Sequence, residues 1–196
     1  IRRQRQMCIR DRFGAVNPSG KLPFTFPVRL EDNGAHALGE YPGADKVKYN
    51  ESIFVGYRWH DKEQLKPLFA FGHGLSYTAF AVGNVKADRT TLAPNGSIRI
   101  SADVTNTGDR AGAEVVQLYI GDEQSSLPRP VKELKGFQKV SLNPGQTQTV
   151  TFEITPGMLQ YYDDAKGAWV AEPGAFTAYV GAASDDIRGT VEFELK

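Results

Sequence analysis

From residue 81 to the C-terminus, apolar and polar residues alternate with a period of two in a series of short runs. Ile98, Ile100, Ala102 and Val104 are separated by Arg99, Ser101 and Asp103. Val150, Phe152 and Ile154 alternate with Thr149, Thr151 and Glu153, and Phe176, Ala178 and Val180 repeat the pattern, as do Val191, Phe193 and Leu195. Such alternation gives each strand one buried and one wetted face. Glu114 to Ile120 is more continuously apolar, as expected of a central strand. Asn106-Thr107-Gly108-Asp109, Asn143-Pro144-Gly145 and Glu172-Pro173-Gly174 supply turns between the runs. About seven short strands at this spacing predict a mainly β fold, a β-sandwich of the immunoglobulin or fibronectin type III class over residues 81–196.

Residues 13–80 have a different texture. Pro18, Pro23 and Pro27 forbid a regular helix, since each lacks an N–H donor and restricts the residue before it. Residues 22–26 are expected to form one short strand after an Asn-Pro-Ser-Gly turn. Residues 31–50 read as a long loop, with Gly34, Gly39 and Pro42-Gly43 as breakers. Ile53 to Trp59 is β-branched and aromatic, which predicts a second strand. Pro67 to Phe80, an aromatic and glycine-rich run around His73, reads as a packed connector. So little regular structure predicts no self-sufficient core. This stretch is expected to be the edge of a larger unit, apolar enough at Phe24, Phe26, Phe54 and Phe69 to aggregate on its own.

Composition changes this picture only at the N-terminus. The 196 residues have a formal net charge of zero, which argues for neither a nucleic acid nor a membrane surface as partner. Within residues 1–12, however, Arg2, Arg3, Arg5, Arg10 and Arg12 face Asp11 alone, leaving the remainder mildly acidic. The segment has no long apolar core of a signal peptide, and it is expected to be foreign to the fold or disordered. Cys8, the single cysteine, lies within it, so no disulfide is expected. No run approaches the roughly 18 apolar residues of a membrane span.

Candidate chemistry is sparse. His36, His60 and His73 form no i,i+4 pair and have no cysteine beside them, so no metal ligand is assigned. A His73, Ser76 and Asp61 triad lacks the Gly-x-Ser-x-Gly elbow. His73 is instead expected to be a packed residue whose ring nitrogens bond the backbone. Asp163 and Asp164 read as a solvated turn. Glu51 lies near Tyr57, Arg58 and Trp59, a set suited to sugar stacking and hydrogen bonding, but a structural ion pair with Arg58 or another cation is the expectation. Trp59 and Trp169 are both expected in the core or at the junction, and no ladder of exposed aromatics is foreseen. No carboxylate pair fits the acid and nucleophile of glycoside hydrolysis. Catalytic, cofactor-binding and metal residues are therefore none, and no cofactor is expected.

The motifs nonetheless carry a resemblance. Asn17-Pro18-Ser19-Gly20-Lys21-Leu22-Pro23-Phe24-Thr25-Phe26-Pro27 resembles the closing motif of the α/β sandwich domain of glycoside hydrolase family 3. Tyr49-Asn50-Glu51-Ser52-Ile53-Phe54-Val55-Gly56-Tyr57-Arg58 is similar to the strand that follows it there. Phe71-Gly72-His73-Gly74-Leu75-Ser76-Tyr77-Thr78 is similar to the junction into that family's fibronectin type III-like domain. Asn106-Thr107-Gly108, Glu114 to Tyr119 and Arg129 to Phe137 continue the match. Ser52 and Ala70 depart from it, standing where the family has glycine and proline.

The resemblance implies a retaining exo-acting β-glycosidase, most often a β-glucosidase, with β-xylosidases as neighbours. It implies a catalytic aspartate on an N-terminal TIM barrel and an acid/base glutamate upstream of the Asn-Pro-Ser-Gly motif, both before residue 13. On that basis residues 1–12 are set aside. Residues 13–80 are the C-terminal remnant of the α/β sandwich domain, and residues 81–196 the fibronectin type III-like domain. The chain is then expected to be a C-terminal fragment, inactive alone. Its partners are the missing barrel and α/β domains of the parent, and the parent's substrate is an oligosaccharide or glycoside. The alternative is a stand-alone carbohydrate-binding or adhesion module.

Overall fold

The computed structural model describes residues 9–43 and 45–196. A three-stranded sheet has the order β1-β3-β6, built from Phe80–Ala87, Ile98–Asn106 and Thr147–Ile154. Against it lies a five-stranded sheet ordered β2-β10-β9-β4-β5. Its strands are β2 (Thr91–Leu92), β4 (Gly112–Asp122), β5 (Glu133–Leu142), β9 (Gly174–Ala183) and β10 (Asp186–Leu195). All neighbours are antiparallel except the short β2–β10 pair. A separate hairpin joins β7 (Tyr161–Asp163) to β8 (Ala168–Val170).

The alternating positions fill the space between the sheets. Ile98, Ile100 and Val104 of β3 meet Val116, Leu118 and Ile120 of β4 in one buried cluster, with Phe176 and Phe193 stacked at 5.7 Å. Burial of this apolar surface is the main stabilising term for such a domain. Strand β4 lies between β9 and β5 and is buried on both faces. Val116, Leu118 and Ile120 enter the core, while Gln117 and Tyr119 face outward beneath residues 57–72. That explains its continuous apolar run.

The N-terminal segment departs from expectation. Residues 22–26 form no strand; Phe26 makes an isolated bridge with Phe69, because Pro23 and Pro27 cannot donate to a ladder. The long loop contains a 3-10 turn at Leu30–Asp32 and α1, one helical turn at Gly34–Ala37. The strand expected at Ile53–Trp59 is replaced by a turn and by helix α2, Tyr57–Lys62. Gly56, at φ 61°, breaks the extended path. Trp59 and His60 are both buried. A strand would send these neighbours to opposite faces, whereas consecutive helical positions lie about 100° apart and reach one interior. A last helical turn, α3, spans Pro156–Leu159.

Trp59 is buried as expected, but Trp169 is not: it is 65% exposed and packs edge-on to the exposed Tyr162 at 5.6 Å. The β7–β8 ribbon has no second layer over these residues, so the expectation that Trp169 lies in the core or at the junction fails. Of the basic opening segment, residues 1–8, with Cys8, lie outside the described residues. Residues 9–12 form a helical turn, and Tyr77 donates its hydroxyl to the Asp11 carbonyl at 2.7 Å. Among the described residues no helix is long and apolar enough to cross a membrane.

Candidate functional site

The densest polar chemistry lies in a seam where residues 57–78 rest on the outer face of the five-stranded sheet. Helix α2 presents Tyr57, Arg58 and Asp61 toward β4 and the start of β5. Tyr57 packs edge-on to Tyr119 at 5.8 Å and lies 5.0 Å from Phe71, and its hydroxyl accepts from the Leu134 amide at 3.0 Å. Arg58 pairs with Glu133 at 3.0 Å, and Lys132 donates to Asp61 at 2.6 Å. Arg129 ties the same strand down: it reaches Asp122 at 3.0 Å, Glu133 at 2.8 Å and the Leu159 carbonyl at 3.0 Å. Planar, multidentate pairing of this kind is what guanidinium supplies and ammonium does not.

At the centre, Gln117 donates its amide to the carbonyls of Gly72 (3.3 Å) and Ala182 (2.7 Å), while its oxygen accepts from the Tyr119 hydroxyl. Further along, the Ser184 amide donates to the Phe71 carbonyl at 2.9 Å, and Lys21 pairs with Glu114 at 2.7 Å. Asn17 is a hub: it donates to the Ala111 carbonyl and accepts from the Ser76 hydroxyl and the Tyr77 amide. Thr78 donates to Asn106, whose own amide donates to the Arg110 and Leu142 carbonyls.

Burial sets the electrostatics. It pushes the Asp61 carboxyl above its ordinary value, against the pull of Lys132. Burial acts upward on Glu133 as well, but Lys135, Arg129 and Arg58 together outweigh it and hold the group below its ordinary value. It lowers the Lys135 ammonium despite Glu133. It drives the Tyr119 phenol strongly upward, aided by Tyr57 and Asp61, so this hydroxyl is a neutral donor to Gln117. Carboxylates paired with cations in this way hold two segments together.

Away from the seam, the same N-terminal segment presents apolar surface to solvent. Phe13 is 85% exposed and Leu75 74%, with Phe24, Val28, Leu30 and Leu68 more than half exposed. An open groove of about 1060 Å³ runs along this side, walled by Val16, Pro18, Leu22, Phe26, Phe69 and Leu75. A face this apolar on a folded chain marks an interaction surface.

The residues singled out in the sequence are scattered. His73 lines the groove with its ring 5.2 Å from Phe69; its backbone, not its ring, makes the bonds, to Leu22 and Ala70. His36 packs on Tyr41 at 4.9 Å, and His60 donates from Nδ1 to the Gly56 carbonyl at 3.0 Å. Ser76 bonds Asn17 and Asp61 bonds Lys132, so the His73, Ser76 and Asp61 triad is not assembled. Glu51 does not pair with Arg58, which has turned to Glu133. Asp163 caps its turn, accepting from the Ala165 and Lys166 amides and pairing with Lys166 at 2.9 Å. Among the described residues no three His, Cys, Asp or Glu side chains group as metal ligands. Sequence reasoning missed the seam itself. Gln117, a lone amide inside an apolar run, was the available signal.

Residues 11–77 match the glycosyl hydrolase family 3 C-terminal domain and residues 114–184 the fibronectin type III-like domain. The chain is 54% identical over 184 residues to β-glucosidase BoGH3A of Bacteroides ovatus, matching 92% of this chain and 25% of that protein. It is 48% identical over 176 residues to thermostable β-glucosidase B of Acetivibrio thermocellus, matching 89% and 23%. The crystal structure of a Bifidobacterium adolescentis GH3 β-glucosidase superposes with a TM-score of 0.88 at 36% identity, over 95% of this chain and 27% of that one. A Kluyveromyces marxianus β-glucosidase in complex with glucose gives 0.86 at 41% identity, over 95% and 22%. The chain thus spans about a quarter of the length of the relatives it matches. It belongs to glycosyl hydrolase family 3 and carries part of that family's C-terminal domain together with a fibronectin type III-like domain.

Proposed function

We propose that this chain is the C-terminal part of an exo-acting β-glycosidase of the β-glucosidase type, and that its own role is structural. The sandwich serves as a rigid base. The polar seam fixes residues 13–80 on that base, and those residues hold the remainder of the α/β unit in place against the groove. The catalytic carboxylates and the sugar-binding pocket are then supplied by the rest of the parent, and none of the residues described above takes a catalytic role. The observation that carries this reading is the groove of about 1060 Å³, walled in part by exposed Leu75, on a segment otherwise pinned by partly buried ion pairs. A surface that apolar needs a permanent neighbour. A stand-alone sugar-binding module is the weaker reading, because both segments match in order within single, longer β-glucosidase chains.

The test is complementation. The chain alone is expected to release no nitrophenol from an aryl β-glucoside. Co-expressed with the Bacteroides ovatus relative shortened by its matching C-terminal quarter, it is expected to restore hydrolysis that neither piece shows alone. Turnover by the chain alone, or an inactive mixture of two soluble pieces, overturns the reading.

A further inference from the structure

Four polar atoms near α2 are buried without a hydrogen-bond partner in the protein: Thr25 Oγ1, Glu51 Oε2, Trp59 Nε1 and His60 Nε2. Among the described residues only Ser125 Oγ shares that condition, so the orphaned atoms are concentrated in one place. All four residues line the same small cavity, of about 50 Å³, together with Gly34 and Gly56. Trp59 is 5% and His60 6% exposed, so bulk solvent does not satisfy them. Buried polar groups left unpaired are costly enough that native proteins supply a partner, often an ordered water.

The donors and acceptors add up to one particular ligand. His60 directs Nδ1–H at the Gly56 carbonyl, which leaves Nε2 as the ring atom facing the cavity, an acceptor in the Nδ1–H tautomer. Glu51 Oε2 accepts, Trp59 Nε1–H can only donate, and the Thr25 hydroxyl donates or accepts. Two acceptors, one donor and one adaptable hydroxyl complement a molecule with two hydrogens and two lone pairs. A metal cation fails, because the indole N–H turns a positive hydrogen toward it. A hexose fails on size, since sugar-sized ligands occupy cavities of several hundred Å³, whereas a water needs about 15 Å³.

We propose that this cavity is a structural hydration site, in which an ordered water donates to His60 Nε2 and Glu51 Oε2 and accepts from Trp59 Nε1–H and Thr25 Oγ1–H. The water ties together three pieces with no ladder between them: the extended residues around Thr25, the turn at Glu51, and α2. Gly34 closes the wall; a Cβ there would lie 3.0 Å from the Trp59 ring and 3.3 Å from the Glu51 Cβ. Glycine at this position lets the indole and carboxylate converge.

A crystal structure of the chain at a resolution that shows ordered solvent is expected to place a peak within hydrogen-bonding distance of all four atoms. An unoccupied cavity, a cation, or any of the four atoms turned to a protein partner overturns the proposal. In solution, Thr25→Val and Glu51→Met test whether two side chains communicate through a shared water. Each is expected to raise the unfolding constant about tenfold. The double variant should fall well short of the roughly hundredfold rise of independent sites, and a fully multiplicative effect counts against the bridge.

Discussion

Gly72 shows how narrowly single positions in the seam are fixed. Its backbone sits at φ 82°, in the left-handed region, and a Cβ there would overlap the Gln117 carboxamide. Gln117 cannot swing aside, because it is buried and its amide bridges the Gly72 and Ala182 carbonyls. Moving it would strand those carbonyls and the Tyr119 hydroxyl without partners. Gly72→Ala therefore combines backbone strain with overpacking and is expected to cost about 2–4 kcal/mol in urea unfolding. Gly83→Ala in β1, where a Cβ meets nothing within 4 Å, is the control and should be near neutral. Equal effects from the two would show that Gln117 is not held as described.

Between elements, the seam works through charge, and α2 and β5 meet at Glu133. Arg58 comes from the helix, Arg129 from the residues before the strand, and Lys135 from the strand itself. These cations hold the carboxyl below its ordinary value despite burial. A group depressed in the folded state contributes stability that is fully present above its unfolded value and is lost as pH falls through the folded one. Glu133→Gln is therefore expected to be less stable than the parent chain at neutral pH. The gap should close as pH drops below about 4, the ordinary range for glutamate. Chemical denaturation midpoints between pH 3 and pH 7 measure it, and a gap that widens in acid sinks the assignment. None of this coupling was legible in the sequence. The sandwich was, because period-2 alternation such as Ile98-x-Ile100 is a local signal of strand burial. The seam was not, because Lys132 and Asp61 are 71 residues apart and nothing in either neighbourhood announces the other. Helix α2 was misread for a related reason. Ile53, Val55 and Tyr57 favour strands, but Gly56 turns the chain where no neighbouring strand is available to pair.

For the molecule as a whole, the two parts differ in what they need. Every residue of the buried core cluster lies between Val82 and Leu195; the N-terminal segment contributes none. The N-terminal segment contacts the sandwich through ion pairs and single hydrogen bonds, which in water contribute modestly each. It turns many large apolar side chains outward, among them Phe13 and Leu75, with Tyr49 80% exposed. The sandwich should thus survive alone; loss of the seam uncovers Tyr119 together with polar groups such as Glu114, Gln117 and Glu133. Residues 81–196 expressed by themselves are expected to unfold in one cooperative transition. They should also remain monomeric by light scattering at concentrations where the 196-residue chain associates. If the shorter piece associates more readily, the outward apolar face is not what drives association, and the argument that it awaits a neighbour loses its footing.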